Sequence, residues 1–469
     1  MMALKDARDL FLKQRRFDLI FKFLFAQADG KGFARTAYEE SICRFNGFEE
    51  WNAQGECEKR GFDEFVTKFE QLIVSMRKDG FDASRGSVPV AADGTLVNGA
   101  HRLSAAALLG LDVPVETVGE TADAYDWEFF AKRGMDNRIM DAGALAYVRL
   151  NPDAHIVNLF PAADPSRDGE VRAILEKYGF VYYRKDVPLT FDGCVNLKKI
   201  SYGEFWEKEQ WIGTAKDKFR GAQSHARQSL HGNGGLRVFV FVCDAAEKVL
   251  SAKAEIRALY GLGNPTIHIN DTHAEAVRLA ESYFNDNSMW VLNRRKFEYE
   301  DVRFDRLVDD FRKRIEAKGR NVADYCLAGS TPLNVVGLRH SDDLDFLSVD
   351  PEAASVENDV YSNHDGQLPH YGHAKADIVG DPRLHFFYRG MKFISMDVLY
   401  GMKKHRNEIG KDDVDCRAIE RLSADGRPSL TLSERIGLAR KWLYSKVKYG
   451  PYRDVTICGF KFTYRKNKK

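Results

Sequence analysis

The residues best suited to chemistry are two carboxylates, Asp343 and Asp345, with one apolar residue between them. On a β-strand, side chains at i and i+2 point to the same face, so these carboxylates would lie side by side. Because like charges repel, such a pair is costly to fold unless cations neutralise it. Mg²⁺ would do so, and would also hold the phosphates of a nucleoside triphosphate. The spacing therefore predicts a magnesium site at Asp343 and Asp345.

A glycine-serine turn precedes this pair. The apolar segment 325–328 runs into Gly329 and Ser330, and twelve residues, 331–342, separate the turn from Asp343. Glycine lets the backbone approach a phosphate closely, and the serine hydroxyl can contact it. The turn therefore predicts a phosphate-binding position beside the carboxylates.

Turn, gap and carboxylate pair together resemble the signature of the nucleotidyltransferase superfamily related to DNA polymerase beta, over roughly residues 305–420. This chain departs from the signature at Asp342, where an apolar residue is usual. The resemblance implies Mg²⁺-dependent nucleotidyl transfer and a third carboxylate on a following strand. That strand is predicted to end at Ser395, and Asp397, our candidate for the third catalytic residue, lies just beyond it, which is a second departure from the family pattern. Asp377 is the alternative candidate.

A basic segment follows the expected catalytic strands. Lys403, Arg406 and Lys411 resemble the cations that follow the sheet in small nucleotidyltransferases, where they could contact a triphosphate or an anionic acceptor. The alternative is a solvated basic helix face, with Asp412 and Asp415 as helix-start residues.

A second glycine turn lies near the N-terminus. Within residues 87–115 the sequence predicts two short strands, a tight turn at Asn98 and Gly99, a helix from about His101 to Leu109, and another strand. The free N–H groups and positive dipole of a helix start favour phosphate.

Residues 60–120 resemble the ParB/sulfiredoxin-like domain, whose motif is matched by Asn98, Gly99, His101 and Arg102. Asn98 stands where that family usually has an acidic residue. The resemblance implies nucleotide binding by these four residues; family members include DNA-partitioning proteins, a reductase of oxidised cysteine and small-molecule kinases. The alternative is a structural His-Arg pair at a helix start.

A third polar group, His268, Asp271, His273 and Glu275, permits two interpretations. The side chains could be metal ligands or acid-base groups. Alternatively, Thr272 and Glu275 form a capping box that only starts a helix.

The elements that must position these residues are read from hydrophobic spacing and turn residues. Further helices are expected over residues 4–28, 62–76, 252–260, 305–318 and 396–406, a buried strand over 236–243, a hairpin over 384–395, a helix from Thr431 to about 448, and a basic tail over 461–469. We predict a multidomain α/β (α+β) protein. Its domains are a ParB/sulfiredoxin-like domain with N-terminal helices over 1–150, an unassigned α/β domain over 151–300 and a nucleotidyltransferase-like mixed sheet with helices over 301–469.

Composition limits the classes of partner. Lysine and arginine (70) balance aspartate and glutamate (69) in 469 residues, so no overall field favours nucleic acid or membrane. With no signal peptide or membrane span expected, and seven scattered cysteines, a cytoplasmic protein with reduced thiols is predicted.

The leading hypothesis is a Mg²⁺-dependent nucleotidyltransferase that uses a nucleoside triphosphate and a small acceptor, with or without a phosphate group of its own. Its ParB-like domain would bind nucleotide and could be a kinase. One alternative is a ParB-like, nucleic-acid-binding regulator with an inactive transferase domain. Another is a toxin- or antitoxin-type transferase that modifies protein or tRNA.

Overall fold

The computed structural model describes residues 2–51, 54–202, 211–232, 234–408 and 410–425, and the backbone of 453–457 and 460–464. The chain is a mixed α/β protein whose described part contains five separate sheets. The predicted helix from Thr431 to about 448 and the tail beyond 464 lie outside the described residues.

The first third of the chain is mainly helical around a small sheet. Its elements are β1 Met2–Asp6, α1 Ala7–Leu12, α2 Asp18–Gln27, α3 Gly32–Asn46, β2 Glu49–Trp51, β3 Cys57–Arg60, α4 Phe62–Asp79, β4 Val88–Val90, α5 Ala100–Leu109, β5 Asp112–Thr117, α6 Trp127–Lys132 and α7 Asn137–Leu150. The sheet has the order β1-β5-β4, with β4 and β5 parallel. Of the two short strands predicted before Gly99, the first is confirmed as β4 and the second is wrong, because Leu96 forms only an isolated bridge with Val90. The helix and the strand predicted after Gly99 are confirmed as α5 and β5.

The single helix predicted over residues 4–28 is wrong. Residues 2–6 form β1, which pairs antiparallel with β5, and Asp6 caps α1 by accepting a hydrogen bond from the amide of Asp9 at 2.6 Å. Residues 13–17 then separate α1 from α2, and Arg16 of this connection forms a buried ion pair with Asp18 at the start of α2. Helical spacing of apolar residues could not reveal a strand partner more than a hundred residues away.

The middle of the chain is a four-stranded antiparallel sheet covered by helices on both faces. Its elements are β6 Ala154–Leu159, α8 Asp168–Tyr178, β7 Phe180–Val187, α9 Phe191–Tyr202, α10 Arg220–Ser229, β8 Leu236–Val242, α11 Ala246–Tyr260, β9 Ile267–Ile269, α12 His273–Tyr283 and α13 Asp286–Arg294. The strand order is β7-β8-β6-β9. The buried strand predicted over 236–243 is confirmed as β8, and the helix predicted over 252–260 begins earlier, at Ala246.

The last third is built on a five-stranded mixed sheet. Its elements are α14 Val302–Ala317, β10 Tyr325–Leu327, α15 Thr331–Val335, β11 Leu344–Ser348, β12 Tyr361–Asn363, α16 Lys375–Gly380, β13 His385–Tyr388, β14 Met391–Ile394, α17 Met396–Arg406, α18 Asp412–Asp425, β15 Arg453–Ile457 and β16 Phe460–Tyr464. The order β12-β11-β10-β14-β13 places β10 at the centre, antiparallel to β11 and parallel to β14. The predicted hairpin turns at Arg389 and Gly390, as expected.

Three apolar cores accompany these sheets. One core runs without a break from α1 to α13, so it crosses the boundary predicted at residue 150; a second lies on the other face of the middle sheet, and a third fills the last region. The domain limits stay predictions. In the described part of the chain, no helix has the length and apolar character that crossing a bilayer requires.

Candidate functional site

Asp343 and Asp345 lie at the start of β11, next to the central strand. Leu327 of β10 pairs with Phe346 of β11, and the amide of Ala328 donates to the carbonyl of Asp345 at 2.7 Å. The side chain of Asp343 is exposed and that of Asp345 is half-buried. Burial, and then repulsion from Asp345, raises the pKa of Asp343. This mutual repulsion is the electrostatic cost that the sequence predicts for the pair.

Gly329 lies directly against Asp345. Its φ of +60° is a left-handed conformation, and a Cβ at this position would stand 2.1 Å from Asp345 Oδ2. Only glycine fits both the conformation and the close approach. Ser330 follows as the N-cap of the short helix α15, but its side chain makes no capping hydrogen bond. The structure therefore brings the glycine turn and the second carboxylate together.

Three residues that sequence reasoning missed complete the surroundings of Asp345. Ser362 pairs with Asp345 in the parallel β11-β12 ladder and donates its hydroxyl to Asp345 Oδ1 at 3.0 Å. His364 Nε2 lies 3.7 Å from Asp345 Oδ2, and His364 Nδ1 lies 2.6 Å from the Tyr371 hydroxyl. These residues belong to a polar stretch without a recognisable spacing, so no sequence signal marked them.

The hydrogen bonds define the protonation of His364. The amide of Gly329 donates to the Tyr371 oxygen at 3.4 Å, so the Tyr371 hydroxyl can donate to His364 Nδ1. That arrangement leaves the proton of the neutral ring on Nε2, facing Asp345. Burial lowers the pKa of His364, opposed by Asp345. Burial also raises the pKa of Tyr371, which keeps its proton.

The basic residues form a cluster on α17 and the start of α18. Lys403 is almost completely buried, 2.7 Å from Asp415 and 3.3 Å from Asp412. Arg406 donates to both carboxylate oxygens of Asp412, at 3.0 and 2.7 Å. Burial alone would raise the pKa of Asp412, but Arg406, the Glu408 amide and Lys403 lower it to about 2. The solvated basic face is therefore wrong for Lys403 and Arg406, because both hold carboxylates of the next helix.

The cluster contains four cations and three carboxylates, Arg339, Lys403, Arg406 and Lys411 with Glu408, Asp412 and Asp415. Arg339 joins it through Asp415 at 3.0 Å, and Lys411 lies 3.8 Å from Glu408. Arg406, Lys403 and Lys411 all lower the pKa of His364, and Arg339 lowers that of Asp343. Burial and then Arg339 lower the pKa of Lys411 itself, as expected where cations crowd together. An anion placed between the cluster and Asp345 would relieve this crowding.

The structure does not bring Asp397 to this pair through any described contact. Asp397 is exposed in the first turn of α17 and lines a small cavity with Asn287, Trp290 and Phe386. Asp377, the alternative, is exposed in the first turn of α16. Their roles stay predictions.

The N-terminal motif has a different environment. His101 turns inward, with Nε2 2.9 Å from the Tyr38 hydroxyl and its ring 4.8 Å from that of Phe69. Burial lowers its pKa well below the usual value. Arg102 donates to the carbonyl of Gly86 at 3.2 Å and lies beside Gly99. These contacts give His101 a packing role, and nucleotide binding by Arg102 and by the exposed Asn98 stays a prediction.

The third polar group is mostly structural. Thr272 accepts a hydrogen bond from the amide of Glu275 at 3.2 Å and caps α12, while Glu275 binds the amide of Asp271 at 3.0 Å. His273 contacts the carbonyl of Val148 at 2.7 Å. His268 and Glu275 are both buried in the middle region, where His268 Nε2 lies 2.6 Å from Glu275 Oε1.

Neither a family model nor a curated protein nor a solved structure matches this chain. Its function must therefore be inferred from the residues and their geometry.

Proposed function

We propose that this chain is a Mg²⁺-dependent nucleotidyltransferase that transfers a nucleotidyl group from a nucleoside triphosphate to a small acceptor. One observation carries the proposal. Asp345, beside Asp343, lies against the left-handed Gly329 turn, and the cations of the cluster at α17 and α18 act on the pKa of its neighbour His364. Carboxylates for a metal, a glycine turn beside them and neighbouring cations are what triphosphate chemistry requires.

Asp343 and Asp345 are the residues that would hold Mg²⁺. Their hard oxygen atoms suit this ion, which in phosphate-transfer sites takes one or two carboxylates and completes its shell with phosphate and water. In the described ranges, no three acidic, histidine or cysteine side chains form a set that could hold a metal. When bound, Mg²⁺ would neutralise the triphosphate and lower the pKa of the attacking group.

The protein's own groups would position the reaction. Gly329 keeps the backbone clear of a side chain beside Asp345. Ser362 and the His364–Tyr371 pair fix the Asp345 carboxylate, which leaves Asp343 exposed toward a ligand. Lys411, which lies 3.8 Å from Glu408, would attract the anionic substrate, whereas Lys403, Arg406 and Arg339 are held by the carboxylates of Asp412 and Asp415.

The test measures products from each of the four common nucleoside triphosphates with Mg²⁺ and pools of metabolites. We expect pyrophosphate, and we expect Asp345→Asn to abolish it. Asp342→Asn is the matched control, because Asp342 is the neighbouring carboxylate and pairs with Arg303 at 2.8 Å. Near-normal pyrophosphate release by Asp345→Asn would refute the proposal.

The same assay separates the other hypotheses. Nucleoside diphosphate in place of pyrophosphate would indicate the kinase chemistry implied by the ParB resemblance. Label carried into protein or tRNA of a cell extract would indicate a macromolecular acceptor. Salt-dependent DNA binding without any turnover would favour the regulator with an inactive transferase domain.

A further inference from the structure

A second group of polar side chains converges inside the middle region, between its sheet and three helices. Ile156 of β6 and Phe160, just after it, belong to the core shared with α9, α10 and α12, whereas Val157 and Leu159 face the opposite core. Because side chains alternate along a strand, Asn158 faces the first of these cores. Asn158 pairs with His268 of β9, so both side chains point to the same face of the sheet. The strand pairing thus directs two polar side chains at the helices.

Each covering helix adds polar residues at the spacing of one turn. Helix α9 carries Cys194, Lys198 and Tyr202, and α10 carries His225 and Ser229. Residues four apart on a helix share a face, so these side chains point together. The contacts agree: Tyr202 donates to His268 Nδ1 at 2.9 Å, and the ring centroids of Tyr202 and His225 are 6.2 Å apart. We call this set, with Asn158 and Tyr283 of α12, the buried chamber.

Several polar atoms of the buried chamber have no hydrogen-bond partner among the described residues. They are Asn158 Nδ2 and Oδ1, Lys198 Nζ, His225 Nδ1, Ser229 Oγ and Tyr283 Oη. Asn158, Lys198, Ser229 and Tyr283 are fully buried. Buried polar groups are nearly always paired, because an unpaired one loses its hydrogen bonds to water without replacement. So many in one place indicate that a polar occupant supplies the partners.

Lys198 shows the charge of that occupant. Its ammonium nitrogen lies 3.4 Å from the centre of the Phe160 ring, and no carboxylate in the described ranges pairs with it. Burial lowers its pKa to about 7, opposed only by the Cys194 thiol. Glu275, which contacts His268, is already engaged by that ring and by the amide of Asp271. Among the described residues of this set, a cationic ligand would therefore meet no free carboxylate, whereas an anion would meet the unpaired amino group of Lys198 and favour its charged form.

The remaining groups also suit an anion. Asn158, Ser229 and Tyr283 can each donate a hydrogen bond, and the pKa of His225, lowered to about 3 by burial and Lys198, leaves a neutral ring with one N–H. Donors to an oxyanion form shorter and stronger hydrogen bonds than neutral pairs.

We propose that the buried chamber is a binding site for a small oxyanion, a phosphate or carboxylate group, held by Lys198, Asn158 and Ser229. It lies on the face of the middle sheet that α9, α10 and α12 cover, and its residues are not those of the carboxylate pair in the last region. The proposal is therefore independent of the nucleotidyl-transfer chemistry.

The test is calorimetric titration and thermal unfolding of the full chain with inorganic phosphate and, separately, acetate, against chloride at equal ionic strength. We expect saturable binding of one oxyanion and a rise in the unfolding temperature, because a ligand that binds only the folded state stabilises it. The stronger of the two probes identifies the phosphate or carboxylate source.

Lys198→Met keeps the length of the side chain and removes its charge. We expect it to weaken the binding at least about tenfold, and Ser229→Ala by a smaller factor, as charge-assisted and neutral hydrogen bonds differ. Lys216→Met, at an exposed lysine of the same region, should bind like the wild type. Phosphate held at the basic cluster on α17 would be unaffected by Lys198→Met.

Two results would overturn the proposal. One is the absence of saturable binding of either oxyanion by the wild type, which would mean that water fills the chamber. The other is full binding by a folded Lys198→Met protein, which would place the oxyanion elsewhere. If Lys198→Met fails to fold, the same titration is done on folded Ser229→Ala. Weakened binding would then support the proposal, and unchanged binding would overturn it.

Discussion

Two glycine turns of this chain start helices in the same way and differ in what lies beside them. Gly99 and Gly329 both have positive φ, +90° and +60°, and each is followed within two residues by a helix. Beside Gly99 lies the flexible guanidinium of Arg102, and His101 packs among aromatic rings. Beside Gly329 lies the carboxylate of Asp345. A motif predicts the local turn, but the chemistry depends on which side chain the fold brings to it.

The largest effect is expected from Asp343→Asn, which tests whether the Gly329 turn belongs to a catalytic site. If the Gly329 turn belongs to a catalytic site, pyrophosphate formation should fall by about a thousandfold or more. The free energy of unfolding of the metal-free protein should hold or rise, because the substitution removes a repelled charge. Product assays and urea unfolding measure the two effects, and a folded variant with normal turnover would contradict the assignment.

The pH dependence of the same variant has a defined sign. Because the folded-state pKa of Asp343 is raised, its ionisation costs stability above that pKa, and the cost disappears as the pH falls through it. The stability advantage of Asp343→Asn should therefore be present at neutral pH and shrink on acidification. An advantage that grows toward low pH would show that Asp343 is stabilised as a carboxylate.

The second test replaces each of the two glycines with alanine. Gly329→Ala should cost at least about 3 kcal/mol, because the strain of a left-handed alanine adds to a clash with Asp345. Gly99→Ala should cost only about 1–2 kcal/mol, because the atom nearest to the added Cβ, Arg102 Nη2 at 3.1 Å, belongs to a flexible side chain that can move away. Urea unfolding of both variants gives the comparison, and equal costs would mean that Asp345 yields as easily as Arg102.

The third test concerns His101. His101→Ala should destabilise the chain by about 2–3 kcal/mol, because it opens a cavity and leaves the Tyr38 hydroxyl without its partner. Arg102→Ala should change stability by much less. Calorimetry with nucleotides then asks whether Arg102 binds phosphate; loss of affinity in a folded Arg102→Ala protein would support the ParB-like function, and unchanged affinity would leave a structural role.

The smallest expected effect is no effect. Arg102→Ala should spare pyrophosphate formation, because its described contacts are with Gly86 and Gly99, and distant sites without shared partners act independently. Asp343→Asn should likewise spare any nucleoside diphosphate formation. Parallel loss of both activities in one folded variant would mean a single composite site.

The elements that depend on neighbouring residues along the chain could be predicted from the sequence alone. Turn residues and apolar spacing were enough for α4, α5, β8, the hairpin at Gly390 and α17, because capping, turn conformation and the buried face of an element are local properties. Gly329 and Asp343 lie near the two ends of the connection between β10 and β11, so their order could be predicted from the sequence, whereas the approach of Gly329 to Asp345 depends on the pairing of the two strands.

Which side chains meet depends on tertiary packing and could not be predicted from the sequence. Parallel pairing of β11 with β12 brought Ser362 and His364 to Asp345, and packing of α18 on α17 gave Lys403 and Arg406 the carboxylate of Asp412. Antiparallel pairing of β1 with β5 replaced the start of a predicted helix with a strand. The pairing of β6 with β9, under helices α9 and α10, assembled the buried chamber around Lys198. Some of these contacts join residues only six apart, as Arg406 and Asp412, and others join strands more than a hundred residues apart, as β1 and β5. The spacing of residues along the chain does not reveal them, because strand register and helix packing depend on the burial of whole faces.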